Sequence, residues 1–301
     1  MRNIMSLLGL AILLSLAGCG DGQQEYQPGF AEKQEQPEKH YSFAIHPLHN
    51  PEMLLERYGP IVDYLNRNIK GVHFTLEASR NYDEFDKKLY AGQPDFALPN
   101  PYQTINSLKH GYHVFGKMGD DHNFTGVWLV RRDSGIRKVT DLKGKKVSYP
   151  AKTALAATMM PQYYLHTHGI DVNKDVENLY VGSQESSIMN VYLGQVSAGA
   201  TWPIPWMLFQ KEQPEKAAQL EKIWETEPLI NNGLVARGDM PPELVERVAT
   251  LLSTLHENDE GRAMLGRLPI SRFERANDAS YDVVRSFLDT FSRKVRPLEP
   301  Q

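Results

Sequence analysis

The sequence predicts an α/β fold built from two successive strand-and-helix units, and two observations carry that expectation. Short apolar runs of strand length alternate with helical stripes from Tyr41 to Gly116, and the alternation begins again after an apolar strand at Thr125 to Arg131. Strands joined through helices run parallel, so each unit is expected to hold a mostly parallel sheet.

The elements follow in order. Tyr41 to His46 turns Phe43 and Ile45 to one face, as a strand does. Pro51 to Ile69 sets Leu54, Tyr58, Ile61, Leu65 and Ile69 on one helical stripe. Gly59-Pro60 interrupts that stripe, and the missing proline donor predicts a kink or two abutting helices. Val72, Phe74, Leu76 and Ala78 alternate as a strand, Asp83 to Ala91 is a short helix, and Asp95 to Leu98 is a strand stopped by Pro99-Asn100-Pro101. A helix from Tyr102 to His110 closes at Gly111, and Tyr112 to Gly116 returns as a strand. In the second unit the charged turn Asp141 to Lys145 leads into a strand at Lys146 to Tyr149. A helix from Thr153 to His168 ends at Gly169, Val176 to Val181 is a strand, Ser186 to Leu193 a helix, and Ser197 to Thr201 a strand. Lys211 to Lys222 alternates charge and reads as a solvated helix, and the unit ends near Trp224. Asn232 to Arg237 is a further strand. Two helices follow, one opened by Pro241-Pro242 and the last running from Ala279 to Val295, and both are expected to pack back on the first unit.

At the N-terminus Arg2 precedes an apolar run from Ile4 to Ala17, too short for a stable span and placed where a secretion signal belongs. It ends in Leu16-Ala17-Gly18-Cys19, which resembles the bacterial lipobox; residues 1–18 are then a lipoprotein signal peptide and Cys19 the lipidated first residue. That is the single cysteine of the chain, so no disulfide is expected. Residues 19–40 are rich in Gln, Glu, Pro and Gly and read as a flexible tether. With 41% apolar residues the remainder supports a core, and a net charge of −4 offers no basic footprint for nucleic acid. No later apolar run approaches the roughly 20 residues of a span, which leaves the lipid on Cys19 as the expected membrane attachment.

In open sheets ligands sit beyond the carboxyl ends of strands, where helix N-termini attract anions. Four such junctions carry the candidate residues: His46 at the first strand exit, Asn100 and Tyr102 at the third, Thr153 and Ala154 after Tyr149, and Ser183, Gln184 and Glu185 after Val181. Thr201 and Trp202 stand at a further strand end; Tyr149 and Trp206 are weighed as ligand walls against ordinary core aromatics. His46 is read as a donor to an anion. His46-x-x-His49 and His166-x-His168 lack a cysteine or carboxylate to complete a metal set, so no metal and no cofactor are expected. G-x-S-x-G, H-E-x-x-H and P-loop signatures are absent, and the chain is expected not to be an enzyme.

Three motifs in order, Asp95-Phe96-Ala97-Leu98-Pro99-Asn100-Pro101-Tyr102, Asp141 to Val147 and Tyr180-Val181-Gly182-Ser183-Gln184-Glu185-Ser186, resemble the phosphate/phosphite/phosphonate substrate-binding family of bacterial importers. The resemblance covers Tyr41 to about Gly266. It implies a two-lobed type II periplasmic binding protein fold that closes on its ligand as a hinged trap, with residues 41–128 and 228–301 in lobe 1 and 129–227 in lobe 2. The strands Thr125 to Arg131 and Asn232 to Arg237 are expected to cross between lobes. It further implies capture of a small anionic ligand outside the cytoplasmic membrane and delivery to an ABC permease; a sensor kinase or chemoreceptor is the alternative partner. Glu185 resembles a position that meets the ligand ammonium in amino-phosphonate binders, and its other reading is a carboxylate at a helix N-terminus. Where phosphonate binders carry a hydroxyl-rich run, this chain reads Thr153-Ala154-Leu155-Ala156-Ala157-Thr158, which leaves backbone N–H groups, with Thr153 as a further donor or a helix cap, and leaves the ligand open between phosphonate, another oxyanion and a larger molecule.

Overall fold

The computed structural model describes residues 38–299. The expected signal peptide, Cys19 and most of the expected tether lie outside them. The first element described is β1 (Lys39–Ile45), two residues ahead of the expected start, followed by α1 (Pro51–Asn68), β2 (Val72–Ala78), α2 (Tyr82–Tyr90), β3 (Phe96–Leu98), α3 (Pro101–Ser107) and β4 (Tyr112–Met118). The second half holds β5 (Val127–Arg131), β6 (Lys145–Tyr149), a π-turn at Leu155–Met159 running into α4 (Met160–Thr167), β7 (Val176–Tyr180), α5 (Gln184–Tyr192), β8 (Ala198–Thr201), α6 (Pro203–Glu212), α7 (Pro214–Ala217) and β9 (Leu220–Glu225). The chain then returns through β10 (Gly233–Arg237), α8 (Pro242–Ser253), α9 (Asp259–Arg267), β11 (Phe273–Arg275) and α10 (Asp282–Lys294).

The strands form two sheets, ordered β11-β4-β10-β3-β1-β2 and β7-β6-β8-β5-β9, which define two lobes. Both sheets are mixed rather than mostly parallel. β1 runs parallel to β2 and β3, and β6 to β7 and β8, because helices connect them. β10 and β5 run antiparallel to their neighbours, since each enters its sheet directly from the other lobe without an intervening helix. The passages between lobes are residues 119–126 and 226–232, not the strands themselves: β5 belongs to the second sheet and β10 to the first. The two passages are hydrogen-bonded together, Thr226 N donating to Gly126 O at 2.9 Å and Leu229 N to Phe124 O at 3.0 Å.

One expectation about elements is narrowed and another corrected: at Gly59-Pro60 the alternative of two abutting helices falls away. α1 is a single helix with Pro60 inside it. The carbonyl that Pro60 leaves unbonded belongs to exposed Glu56, where water is at hand, and the stripe of Leu54, Tyr58, Ile61 and Leu65 is buried throughout. Lys211 to Lys222 is not one helix: Gln213-Pro214 ends α6, and Leu220 to Glu225 pairs with β5 as an edge strand whose alternating charges keep it soluble.

One apolar core runs through both lobes, and a smaller cluster under α5 and α6 holds Leu129, Ile188, Val191, Trp206 and Phe209. After α10 the chain lies across the second lobe. Asn173 Nδ2 donates to Val295 O at 2.7 Å, and Arg296 donates to Gln162 Oε1 and to Lys152 O, both at 2.9 Å. Tyr102 OH of the first lobe donates to Glu299 O at 3.3 Å.

Candidate functional site

Asparagine and serine caps start the helices that lead out of the strand ends. Asn81 Oδ1 accepts from Glu84 N and opens α2; Asn100 forms a capping box with Gln103 and opens α3; Ser183 Oγ accepts from Ser186 N and opens α5. These caps fix the entry of each chain segment into the gap between the sheets. There a small cavity of about 10 Å³, room for about one water-sized group, is lined by His46, Tyr82, Asn100, Phe124, Ala154, Leu155, Ala156, Ala157, Gln184, Trp202 and Asn232.

Ala154 to Ala157 bring the start of a helix to the cavity. The first turn of a helix leaves its N–H groups without intrahelical acceptors, and here that turn is the wide one at Leu155–Met159. Pro161 explains the widening: it has no N–H for the carbonyl of Ala157, and its ring would crowd that carbonyl in a regular α-turn. Thr158 Oγ1 donates to Ala151 O at 2.7 Å and ties the turn to the loop before it.

A chain of hydrogen bonds orients the polar walls. Thr201 Oγ1 donates to Gln184 Oε1 at 2.9 Å, and Gln184 Nε2 donates to Tyr82 OH at 3.2 Å across the lobes. Since the phenol oxygen accepts there, its own proton is left to point elsewhere, and burial holds that phenol well above its ordinary pKa. Asn100 Nδ2 donates to Thr153 O at 3.1 Å, a second bond between lobes. His46 is buried, and burial lowers its pKa to about 4, so the ring is neutral. Its Nδ1 donates to Leu98 O at 2.8 Å. Phe124 and Trp202 close the cavity with rings 5.5 Å apart.

Of the residues expected from sequence, His46, Asn100, Ala154, Gln184 and Trp202 meet in this cavity. Thr201 stands behind it and positions Gln184. Ser183 serves as a cap, and Glu185 is exposed on a separate hollow beside His49 and Glu212. Tyr102 and Thr153 line a wider hollow of about 690 Å³ between Tyr90, Lys152 and Glu299, which shares Tyr82 with the cavity. Tyr149 is core, stacked on Tyr180, and Trp206 belongs to the smaller cluster. His46 corrects its sequence reading: with Nδ1 donating to Leu98, the neutral ring has only an acceptor, Nε2, left for the cavity. Sequence reasoning missed Tyr82, Phe124 and Asn232. Tyr82 follows a strand exit, Ala78 to Asn81, of the same kind as the four junctions used, and Phe124 and Asn232 lie in the interlobe passages, Phe124 just ahead of one expected hinge strand and Asn232 at the start of the other. A larger hollow of about 820 Å³ flanks α6 and β9 at the edge of the second sheet.

Two sheets hinged by two passages, with a helix N-terminus and neutral polar side chains meeting between them, make a solute-binding clamp. The chain belongs to the ABC transporter phosphonate periplasmic substrate-binding protein family, which it matches over residues 43–281. It is 25% identical over 146 residues to the probable ABC transporter phosphite binding protein PhnD1 of Prochlorococcus marinus, an alignment spanning 46% of this chain and 48%, about half, of that curated relative. Its fold is similar to that of a binding protein component of an ABC phosphonate transporter from Pseudomonas aeruginosa, with a TM-score of 0.78 at 17% identity over 85% of this chain and 88% of the other. PhnD1 of Prochlorococcus marinus in complex with methylphosphonate gives the same TM-score of 0.78 and 17% identity, over 85% of this chain and 99% of its own.

Proposed function

We propose that this chain is an extracytoplasmic lipoprotein that captures a small phosphorus oxyanion, phosphite or a short alkylphosphonate, between its lobes and hands it to an ABC importer. The observation that carries the reading is the cavity itself. It sits at a helix N-terminus, which favours a negative charge, and it is walled on another side by Phe124 and Trp202, which suit a hydrogen or methyl group better than a further oxygen. As it stands the cavity holds about one water-sized group, so a ligand of a few heavy atoms requires the lobes to part. Family membership and the likeness to PhnD1, a probable phosphite binding protein whose structure holds methylphosphonate, support the same class. Cys19 supports the anchor through its place in the lipobox.

A thermal-shift screen of the full chain against phosphite, methylphosphonate, phosphate and sulfate tests this reading. A ligand at 100 times its Kd adds about 2.7 kcal/mol, a rise in Tm of several degrees. Phosphite or methylphosphonate is expected to give that rise; if none of the four moves the melt, the assignment falls.

A further inference from the structure

The cavity is built for an anion yet offers no positive charge: among the described residues, those lining it include no Lys or Arg, and no Asp or Glu. Two of its polar atoms are acceptors. His46 donates through Nδ1 to Leu98 O at 2.8 Å, so Nε2 carries the lone pair that remains for the cavity. Asn232 is fully buried, its Nδ2 rests against Met118 Sδ at 3.3 Å, and its Oδ1 has no partner. A bare oxyanion brings only acceptors, and lone pair facing lone pair is repulsive. An oxyanion that keeps one proton brings the missing donor and lowers the charge the neutral site must hold.

Resting on the binding role proposed above, we propose that His46 is the residue that sets specificity: its Nε2 accepts the P–OH proton, so the clamp takes the monoprotonated form of a phosphorus oxyanion and rejects sulfate and sulfonates, which carry no proton. The lowered pKa of His46 keeps the ring from becoming a donor instead. The titratable and charged groups around it act in the same direction or lie apart from the cavity. His49 is also buried with its pKa lowered to about 3, by burial first and then by Arg57 and His46, so it adds no charge. Tyr82 meets the His46 ring at 6.1 Å and stays protonated, and Asp86 lies one helical turn beyond Tyr82. Arg57 of α1 is ion-paired with Glu212.

Calorimetric titration of the full chain with methylphosphonate and with methanesulfonate, which differ in that removable proton, decides the matter. The wild type is expected to bind methylphosphonate at least about 100-fold more tightly, because a site built to accept a hydrogen bond rejects the analogue lacking the donor. Affinity for methylphosphonate is expected to fall about tenfold per pH unit once the ligand loses its second proton. In His46→Gln, whose amide can turn either its oxygen or its NH₂ to the ligand, the discrimination is expected to collapse to about tenfold or less. Nitrogen NMR of the wild-type imidazole, which needs no variant to fold, is expected to show a proton on Nδ1 and none on Nε2 in the free protein. Equal binding of the two ligands, a flat pH profile, unchanged discrimination in His46→Gln, or a proton on Nε2 each overturns the proposal while leaving oxyanion capture intact. Failure of both ligands to bind the wild type overturns the binding role itself, and this inference with it.

Discussion

Asp86 shows how burial at a lobe boundary becomes a pH dependence. It reaches from α2 to Gln103, whose Nε2 donates to Oδ1 at 2.5 Å, and toward the Thr153 hydroxyl of the other lobe. Desolvation raises its carboxyl to about 7 against the lowering effect of the Gln103 hydrogen bond, and the Asp83 charge adds to the rise. In the unfolded chain the same carboxyl loses its proton near pH 4. Between those two values the folded state holds the extra proton, so stability falls as pH rises through that window and is level above it. Asp86→Asn keeps an acceptor for Gln103 and cannot ionise. Urea melts are expected to show the variant about 2 to 4 kcal/mol more stable than the wild type at pH 8 and equal to it near pH 4. A constant difference across that range would assign the effect to packing.

The elements divide by whether their cause is local. The stripe of α1, the strand alternation of β1 and β2 and the glycine closures at Gly111 and Gly169 were legible because periodicity and left-handed turns are properties of short stretches. β9 was not, because its Leu220, Ile223 and Trp224 alternate with charges in a pattern that also fits a helix, and only pairing with β5 selects the strand. The antiparallel course of β5 and β10 was equally hidden, being set by which lobe the chain arrives from. Within the cavity, residues at strand exits could be named, whereas Phe124 and Asn232 enter it only through the return of the chain. The π-turn is a case in which sequence holds the cause and structure shows the result. Pro161→Ala restores an N–H for Ala157 O and is expected to relax Leu155–Met159 toward a regular helix, moving the turn that lines the cavity. Methylphosphonate affinity should drop about tenfold, roughly 1.4 kcal/mol, with no loss of Tm. Unchanged affinity would mean that the wide turn does not place the donors.

At the scale of the molecule, closure rests on few bonds. Tyr82 with Gln184, Asn100 with Thr153 and Arg57 with Glu212 join the lobes, and the segment after α10 adds Arg296 with Gln162 and Lys152. The Arg296 guanidinium is largely buried and its bonds are charge-assisted, worth about 1.5 to 3 kcal/mol each. A chain ending at Val295 is expected to show a larger radius of gyration without ligand and about tenfold weaker binding, since the closed form loses the bonds that segment supplies. Scattering and titration of the shortened chain check both, and identical dimensions would show that the segment only decorates the surface.

The position of β10 between β3 and β4 has a consequence in time. The second sheet is drawn from one unbroken stretch, β5 to β9, and can close as soon as that stretch is free to fold. The first sheet cannot: β3 and β4 have no direct pairing with each other and wait for a strand that follows the whole of the other lobe. Long loops cost search time before their contacts reward it. The lobe that begins first in the chain is therefore the one that finishes last, and the clamp acquires its grip in the reverse of its written order.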